Sequence, residues 1–273
     1  MIPSVVIIST FKPLLPEFIV EHTNSLKSWK RLRCKPKIVI VGDDQGVAEL
    51  CTKEEIMHHP YVAKNRYGTP IVSSILEEGW KYAEDGDICI FLNGDIILND
   101  TICDTLEAFV EQYPDHTKMN YLLTAQRYDW SDFYEIDFEN GWFEEIFNSD
   151  KINLAESTAI DLFIHRKGTI YNMPQSGIAK YAYDSWILLN AFEKFDLVVD
   201  LTETCKIIHH LGKWYQNKMP CPRGTVTREL RMNCQPIYQI NNIIKHNTGK
   251  KEEITDCPHQ SIFQDNKIKI VQR

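Results

Sequence analysis

No stretch of this chain approaches the about 20 consecutive apolar residues that cross a bilayer as a helix, so no integral membrane segment is expected. From Met1 to Thr10 the only apolar core is Val5-Val6-Ile7-Ile8, with neither a basic flank nor a small-residue cleavage site. That start reads as a first strand and not as a signal peptide, and a soluble, cytoplasmic protein is expected. Positive charge is in deficit: 30 Lys and Arg stand against 38 Asp and Glu, for a formal net charge of -8. Such a surface repels nucleic-acid backbones and anionic membranes, so nucleic acid is not an expected partner. A phosphate-rich ligand would need a metal or a few well-placed cationic side chains. None of the eight cysteines forms a C-x-x-C pair, which excludes a zinc ribbon and a thiol redox motif. Cys89 lies inside an apolar strand pattern, where Cys packs as a small hydrophobe. Cys221, Cys234 and Cys257 are expected to stay thiols in a reducing compartment. Internal repeats and low-complexity runs are missing as well.

What is present is an ordinary globular composition, 43% hydrophobic and 25% charged, sufficient for one large α/β domain. Apolar β-type runs alternate with helical periodicity. Strands are expected at Val5 to Ile8, Lys37 to Val41, Ile56 to His58, Asp87 to Leu92 and Tyr121 to Ala125. Helices are expected over Pro16 to Arg33, Val47 to Thr52, Ile71 to Ala83 and Thr101 to Tyr113. In the first of these Phe18, Ile19, His22, Leu26, Trp29 and Leu32 recur at helical spacing. Further on, Asp161 to His165, Leu197 to Asp200 and Lys206 to His209 read as strands and Tyr181 to Phe195 as a helix. Between them, Tyr128 to Asp150 is aromatic and acidic with little periodicity, either a loop with a satellite cluster under it or a lip over a site, since aromatic faces suit the apolar faces of sugars. Past Leu211 the chain is polar and reads as irregular. The alternation predicts a mostly parallel sheet covered on both faces, with ligands at the carboxyl ends of its strands.

Polar residues stand at those ends: Ser9-Thr10-Phe11-Lys12, Asp43-Asp44 and Asn93-Gly94-Asp95. A diphosphate leaving group needs its charge neutralised, and a carboxylate-held Mg²⁺ or Mn²⁺ does that. Asp95 is placed for it, and Gly94 would let the backbone approach phosphates. His209 and His210 end a strand; neighbours there face opposite sides, so at most one meets the site, and imidazole suits Mn²⁺ better than Mg²⁺. Asp184 opens a helix. It either complements the helix dipole or serves as general base toward a hydroxyl, with Asp161 as a competitor. Lys12, Arg66, Lys213, Lys218 and Arg223 could reach phosphates; for all but Lys12, at a strand end, surface solvation is the default.

The order of these pieces resembles a family. Ser9-Thr10-Phe11-Lys12-Pro13, Ser25 to Lys30, Val41 to Glu49, Asn65-Arg66-Tyr67-Gly68-Thr69-Pro70, Phe91 to Leu98, Asp161-Leu162-Phe163, Tyr183-Asp184-Ser185-Trp186 and Ile207-Ile208-His209 together look like the small GT-A glycosyltransferases of the nucleotide-diphospho-sugar transferase superfamily. The resemblance runs from about Ser4 to His210, with a weak echo in Arg228-Glu229 and Asn233. It implies a GT-A fold over 1–210, with a nucleotide-sugar part at about 1–125 and an acceptor part at about 126–210; the polar 211–273, beyond the resemblance, is expected to be an irregular extension that packs on or closes over the site. It implies hexosyl or deoxyhexosyl transfer from a UDP-linked donor to a glycan or other hydroxyl acceptor. Thr10, Phe11 and Lys12 would line the nucleoside pocket, and Asp43 or Asp44 would contact the base or ribose. Asn65, Arg66, Gly68 and Thr69 would border the donor. Asn93 and Asp95 stand at the family's Asp-any-Asp motif, with Asn93 departing from the first acid. Asp184 would be the base, and Asp95 with His209 the metal ligands. One well-placed base suits an inverting single displacement. Two rival readings are a sugar-phosphate nucleotidyltransferase, whose Gly-rich, Arg-containing loop after the first strand is not matched by Thr10-Phe11-Lys12-Pro13, and a silent sugar-binding module.

Overall fold

The apolar runs become strands in the computed structural model of the chain, which describes residues 3–16, 18–65, 68–139, 141–178, 183–211, 254–265 and 267–273. In chain order the elements are β1 (Val5–Ser9), α1 (Ile19–Arg31), β2 (Lys37–Val41), α2 (Val47–Lys53), β3 (Met57–His59), α3 (Val72–Gly79), β4 (Ile88–Leu92), β5 (Ile96–Ile97), α4 (Thr101–Gln112) and β6 (Tyr121–Gln126). They continue with β7 (Tyr128–Trp130), α5 (Trp142–Phe147), β8 (Ile152–Leu154), β9 (Ile160–Arg166), α6 (Tyr183–Lys194), β10 (Leu197–Asp200), β11 (Ile208–His210), β12 (His259–Gln264) and β13 (Lys267–Gln272). No helix among the described residues is long and apolar enough to cross a membrane.

Nine strands form one sheet in the order β13-β12-β10-β6-β9-β4-β1-β2-β3. Strand alternation divides their side chains between two cores. Val5 and Ile7 of β1 and Ile88, Ile90 and Leu92 of β4 face α1, α2 and α4. Val6, Ile8, Cys89 and Phe91 face α3 and α6. A sheet covered on both faces explains why these strands read as continuous apolar runs. β1, β2, β3, β4, β6, β10 and β12 run one way, while β9 is antiparallel to both β4 and β6, and β13 to β12. The reversal of β9 has a functional consequence. Its amino end lies on the same rim as the carboxyl ends of β1, β2, β4 and β6.

A second sheet, β5-β11-β7-β8, closes one end of that rim over a small core of Ile97, Trp130, Ile136, Ile146 and Ile208. The aromatic stretch after Tyr128 therefore contributes two strands' worth of packing and α5 between them. Two sequence expectations need correction. His22, Leu26, Trp29 and Leu32 are buried as expected, but the buried face of α1 also includes Glu21, Asn24, Ser25 and Ser28, whereas Ile19 is exposed. The polar residues are buried because they have partners: Asn24 donates to Tyr134 O and accepts from Ile136 N–H. The extension over 211–273 is also not irregular throughout, since β12 pairs with β10 and β13 with β12. Arg273 clamps that hairpin to Asp200 at 2.6 Å, and Gln112 of α4 bonds both backbone groups of Ile270.

One buried titratable group lies away from the rim and yields a stability prediction. His165 on β9 is fully buried. Its Nδ1 bonds Arg166 O at 2.9 Å, and Nε2 has no partner. Burial pushes the ring from 6.5 down to about 4. Between those values the unfolded chain binds a proton that the folded chain refuses, so this stabilisation is present above pH 6.5 and is lost as pH falls toward 4. The full loss is about 3 kcal/mol. Urea unfolding of the parent and of His165→Leu at pH 7 and pH 4.5 checks it: the parent should lose more stability than the variant over that interval. Equal losses would contradict the assignment.

Candidate active site

A cavity of about 790 Å³ opens on the rim. Most residues expected there from sequence line it: Thr10, Phe11, Lys12, Asp44, Gly68, Thr69, Asn93, Gly94, Asp95, Asp184 and His209. Asp43 does not; it is exposed and paired with Lys64. Asn65 stands behind the lining, where its Oδ1 accepts from Thr69 N–H at 3.1 Å and shapes the Gly68-Thr69 turn. Arg66, Lys213, Lys218 and Arg223 lie outside the described residues.

The loop after β4 is fixed from below. A Cβ on Gly94 would come within 2.5 Å of Thr10 O and of the Phe11 ring, so glycine is needed there for the close approach of two loops. Phe11 itself is buried and stacked on His22, with ring centroids 4.6 Å apart. The His22 ring is held by two backbone groups: Nδ1 bonds Gly94 O at 2.9 Å, and Nε2 accepts from Lys12 N–H at 3.2 Å. Burial and the nearby Lys12 charge push this ring down to about 4, so it stays neutral at pH 7.

Asp95 is 7% exposed. Its Oδ2 meets Lys12 Nζ at 2.9 Å and faces His209 Nε2 at 3.7 Å, while Oδ1 is buried with no hydrogen-bond partner. Burial alone would raise its pKa, but Lys12 and His209 overcome that and hold the carboxyl well below the usual range. His209 is opposed by burial too; the Asp95 charge and the Asp129 hydrogen bond outweigh it and lift the ring to about 9. Its Nδ1 is turned to Asp129 Oδ1 at 2.9 Å, an orienting pair that leaves Nε2 toward Asp95. The neighbouring His210 points the other way. It is buried between Trp130 and Phe133, with centroids 4.7 and 5.4 Å away, and bonds Asp132 O at 2.8 Å.

Sequence reasoning missed Arg127, Asp129 and Glu21. Arg127 lines the cavity, donates to Asp129 at 2.9 Å and pairs with Asp161. Asp161 in turn accepts from Asn93 Nδ2 at 2.6 Å, and Asn93 Oδ1 accepts from Tyr183 OH at 2.8 Å. Asp161, the competitor for the base, is thus 6% exposed and held by a guanidinium. Asp184, in the first turn of α6, lines the open cavity and also accepts from Ser185 N–H at 2.7 Å.

Among the described residues, no group of three or more His, Cys, Asp and Glu side chains could hold a metal ion. The donor set that exists is the pair Asp95 and His209. Mg²⁺ is commonly held by one or two carboxylates, with substrate phosphates and water completing its shell. The partnerless Asp95 Oδ1 and the Asp129-oriented imidazole, once its Nε2 gives up its proton, fit a cation that arrives with a diphosphate.

No family model and no curated protein matches the chain. Solved structures do. S. aureus TarS 1–349 superposes with a TM-score of 0.51 at 13% identity, over 76% of this chain and 60% of that one. TarS 1–349 in complex with UDP gives 0.49 at 14% identity, again over 76% and 60%. CMP:2-keto-3-deoxy-manno-octonic acid synthetase complexed with CTP gives 0.41 at 12% identity, over 83% and 99%. This chain spans 60% of the length of the TarS fragment. The fold shared with TarS 1–349 is a GT-A-type α/β fold with a large, mostly parallel central sheet flanked by helices.

Proposed function

We propose that this protein is a glycosyltransferase that moves a sugar from a nucleoside diphosphate, UDP, to an acceptor hydroxyl, with inversion and with the help of Mn²⁺ or Mg²⁺. The observation that carries the reading is the convergence of Asp95, His209 and Asp184 on one cavity at the strand ends. The motif order in the sequence supplies UDP and the hydroxyl acceptor. Asp95 and His209 would hold the cation. When bound, that cation neutralises the charge growing on the departing diphosphate. Asp44 and Thr10, at the ends of β2 and β1, face the nucleoside side. Asp184 takes the proton of the acceptor hydroxyl as its oxygen bonds the anomeric carbon. The nucleoside diphosphate leaves with the electron pair of the broken bond. Arg127 and Tyr183 hold Asp161 and Asn93 between these two halves and keep the cavity wall rigid.

A thermal-shift screen of nucleotide sugars with and without Mn²⁺ tests the reading. A ligand at a hundredfold excess over its dissociation constant stabilises by about 2.7 kcal/mol. A shift by UDP-sugars that requires Mn²⁺ is expected, and no shift with any nucleotide sugar would contradict it. The two adjacent histidines give a sharper prediction. His209→Ala should weaken Mn²⁺-dependent UDP binding by at least about tenfold, since even an outer-shell partner of a metal commonly costs that much. His210→Ala should leave that affinity near the parent's while lowering stability by about 2–4 kcal/mol, as for other large buried side chains. Calorimetric titration and urea unfolding read the two quantities; the reverse order would place the ligand on the wrong side of β11.

A further inference from the structure

The half-buried Lys12 ammonium is held between two carboxylates. Glu21 Oε1 lies 3.0 Å from it and Asp95 Oδ2 lies 2.9 Å from it, and the Phe18 ring is 5.3 Å away. Glu21 is 1% exposed and comes from the buried face of α1, so it cannot follow a ligand into the cavity. The ammonium is thus paired on two sides, by a carboxylate of the rim and by one of the helix behind it. The same Asp95 oxygen that faces His209 is therefore already neutralised by a cation the chain carries itself. Lys12 reaches Asp95 across the loops that Gly94 and Phe11 lock together.

We propose that Lys12 is a resident stand-in cation that keeps a divalent metal off Asp95 until a nucleoside diphosphate arrives. The inference rests on the metal-dependent reading above. A divalent ion entering alone meets the lysine charge at close range, with the carboxylate it needs already engaged. An arriving diphosphate changes both conditions. Its oxygens offer the ammonium a new acceptor on the open side, and they supply the rest of the metal's shell. Lys12 then swings from Asp95 to the phosphate while Glu21 keeps hold of it from behind. The exchange makes cation and nucleotide bind together and weakly apart. It also gives the buried Glu21 a role, since its carboxylate lies 3.0 Å from the Lys12 ammonium.

Mn²⁺ binding read by electron paramagnetic resonance, with and without UDP, tests this without any activity assay. The parent is expected to bind Mn²⁺ weakly alone and at least about tenfold tighter with UDP. Lys12→Met combined with Glu21→Gln removes the ammonium together with one buried carboxylate, so that no unpaired Glu21 charge threatens folding. This double variant should bind Mn²⁺ alone about tenfold tighter than the parent, and its gain on adding UDP should shrink. Lys12→Arg, which keeps the charge, should behave as the parent. If the double variant binds Mn²⁺ alone no better than the parent, while both still bind Mn²⁺ with UDP, the stand-in role falls and the metal-dependent reading survives. If neither protein binds Mn²⁺ even with UDP, both fall.

Discussion

Asp184→Asn is expected to slow sugar transfer by about a hundred- to ten-thousand-fold, the range that general-base assistance commonly supplies. A sugar hydroxyl is a poor nucleophile at neutral pH, so a carboxylate must take its proton as the new bond forms. Asparagine keeps the shape and loses the base. Asp184 stands in the first turn of α6, on the cavity wall, whereas Asp95 and His209 belong to the loop after β4 and to β11. The UDP dissociation constant should therefore stay close to the parent's, and the loss should appear in turnover. A purely structural role predicts otherwise, because asparagine is also a good residue at a helix start. Single-turnover rates and UDP titrations on one purified variant separate the two. Full activity in Asp184→Asn would return attention to Asp161, although Arg127 already engages that carboxylate.

The second large effect is on binding. Asp95→Ala should abolish the Mn²⁺-dependent part of UDP affinity. Truncating one member of a buried charged group costs about 2–5 kcal/mol, or about thirtyfold to several thousandfold. Asp95 has the geometry for a loss of that size: a partnerless buried oxygen, a lysine at 2.9 Å and a histidine at 3.7 Å. The parent in a chelator should fall to the level of the variant, and adding Mn²⁺ should rescue the parent alone. Lys12 keeps Glu21 as a partner in the variant, so the fold should survive. A variant that binds UDP with Mn²⁺ as well as the parent does would remove the metal assignment.

Much of this rim was legible because one rule sufficed to find it. Residues just past buried strands meet the ligand in a parallel sheet, and that rule alone brings Thr10, Lys12, Asp44 and Asp95 to a single cavity. Applied to Tyr121 to Ala125, it would also have reached Arg127 and Asp129, which follow the end of β6. The aromatic residues around them, which read equally as a satellite cluster or a lip, mask that continuation of the rim. The antiparallel placement of β9 was not legible, since a strand's direction depends on its neighbours and not on its own residues. It brings Asp161 to the rim from an amino end. Glu21 was hidden for a different reason: an acid on a helix's buried face breaks the apolar stripe, and only its lysine partner, nine positions away in sequence, explains it. The terminal hairpin of β12 and β13 escaped notice because it lies at a sheet edge with few buried apolar side chains, and polar ties such as Arg273 to Asp200 hold it instead.

On this reading the cavity breaks the bond between a sugar and a nucleoside diphosphate. Product analysis by ion-exchange chromatography tests it most directly, with a UDP-sugar, Mn²⁺ and a hydroxyl acceptor in one reaction, and a nucleoside triphosphate with a sugar 1-phosphate in another. UDP and transferred or hydrolysed sugar are expected in the first reaction, dependent on Mn²⁺ and lost in Asp184→Asn, and nothing in the second. Pyrophosphate released in the second reaction, with none of the donor consumed in the first, would contradict it.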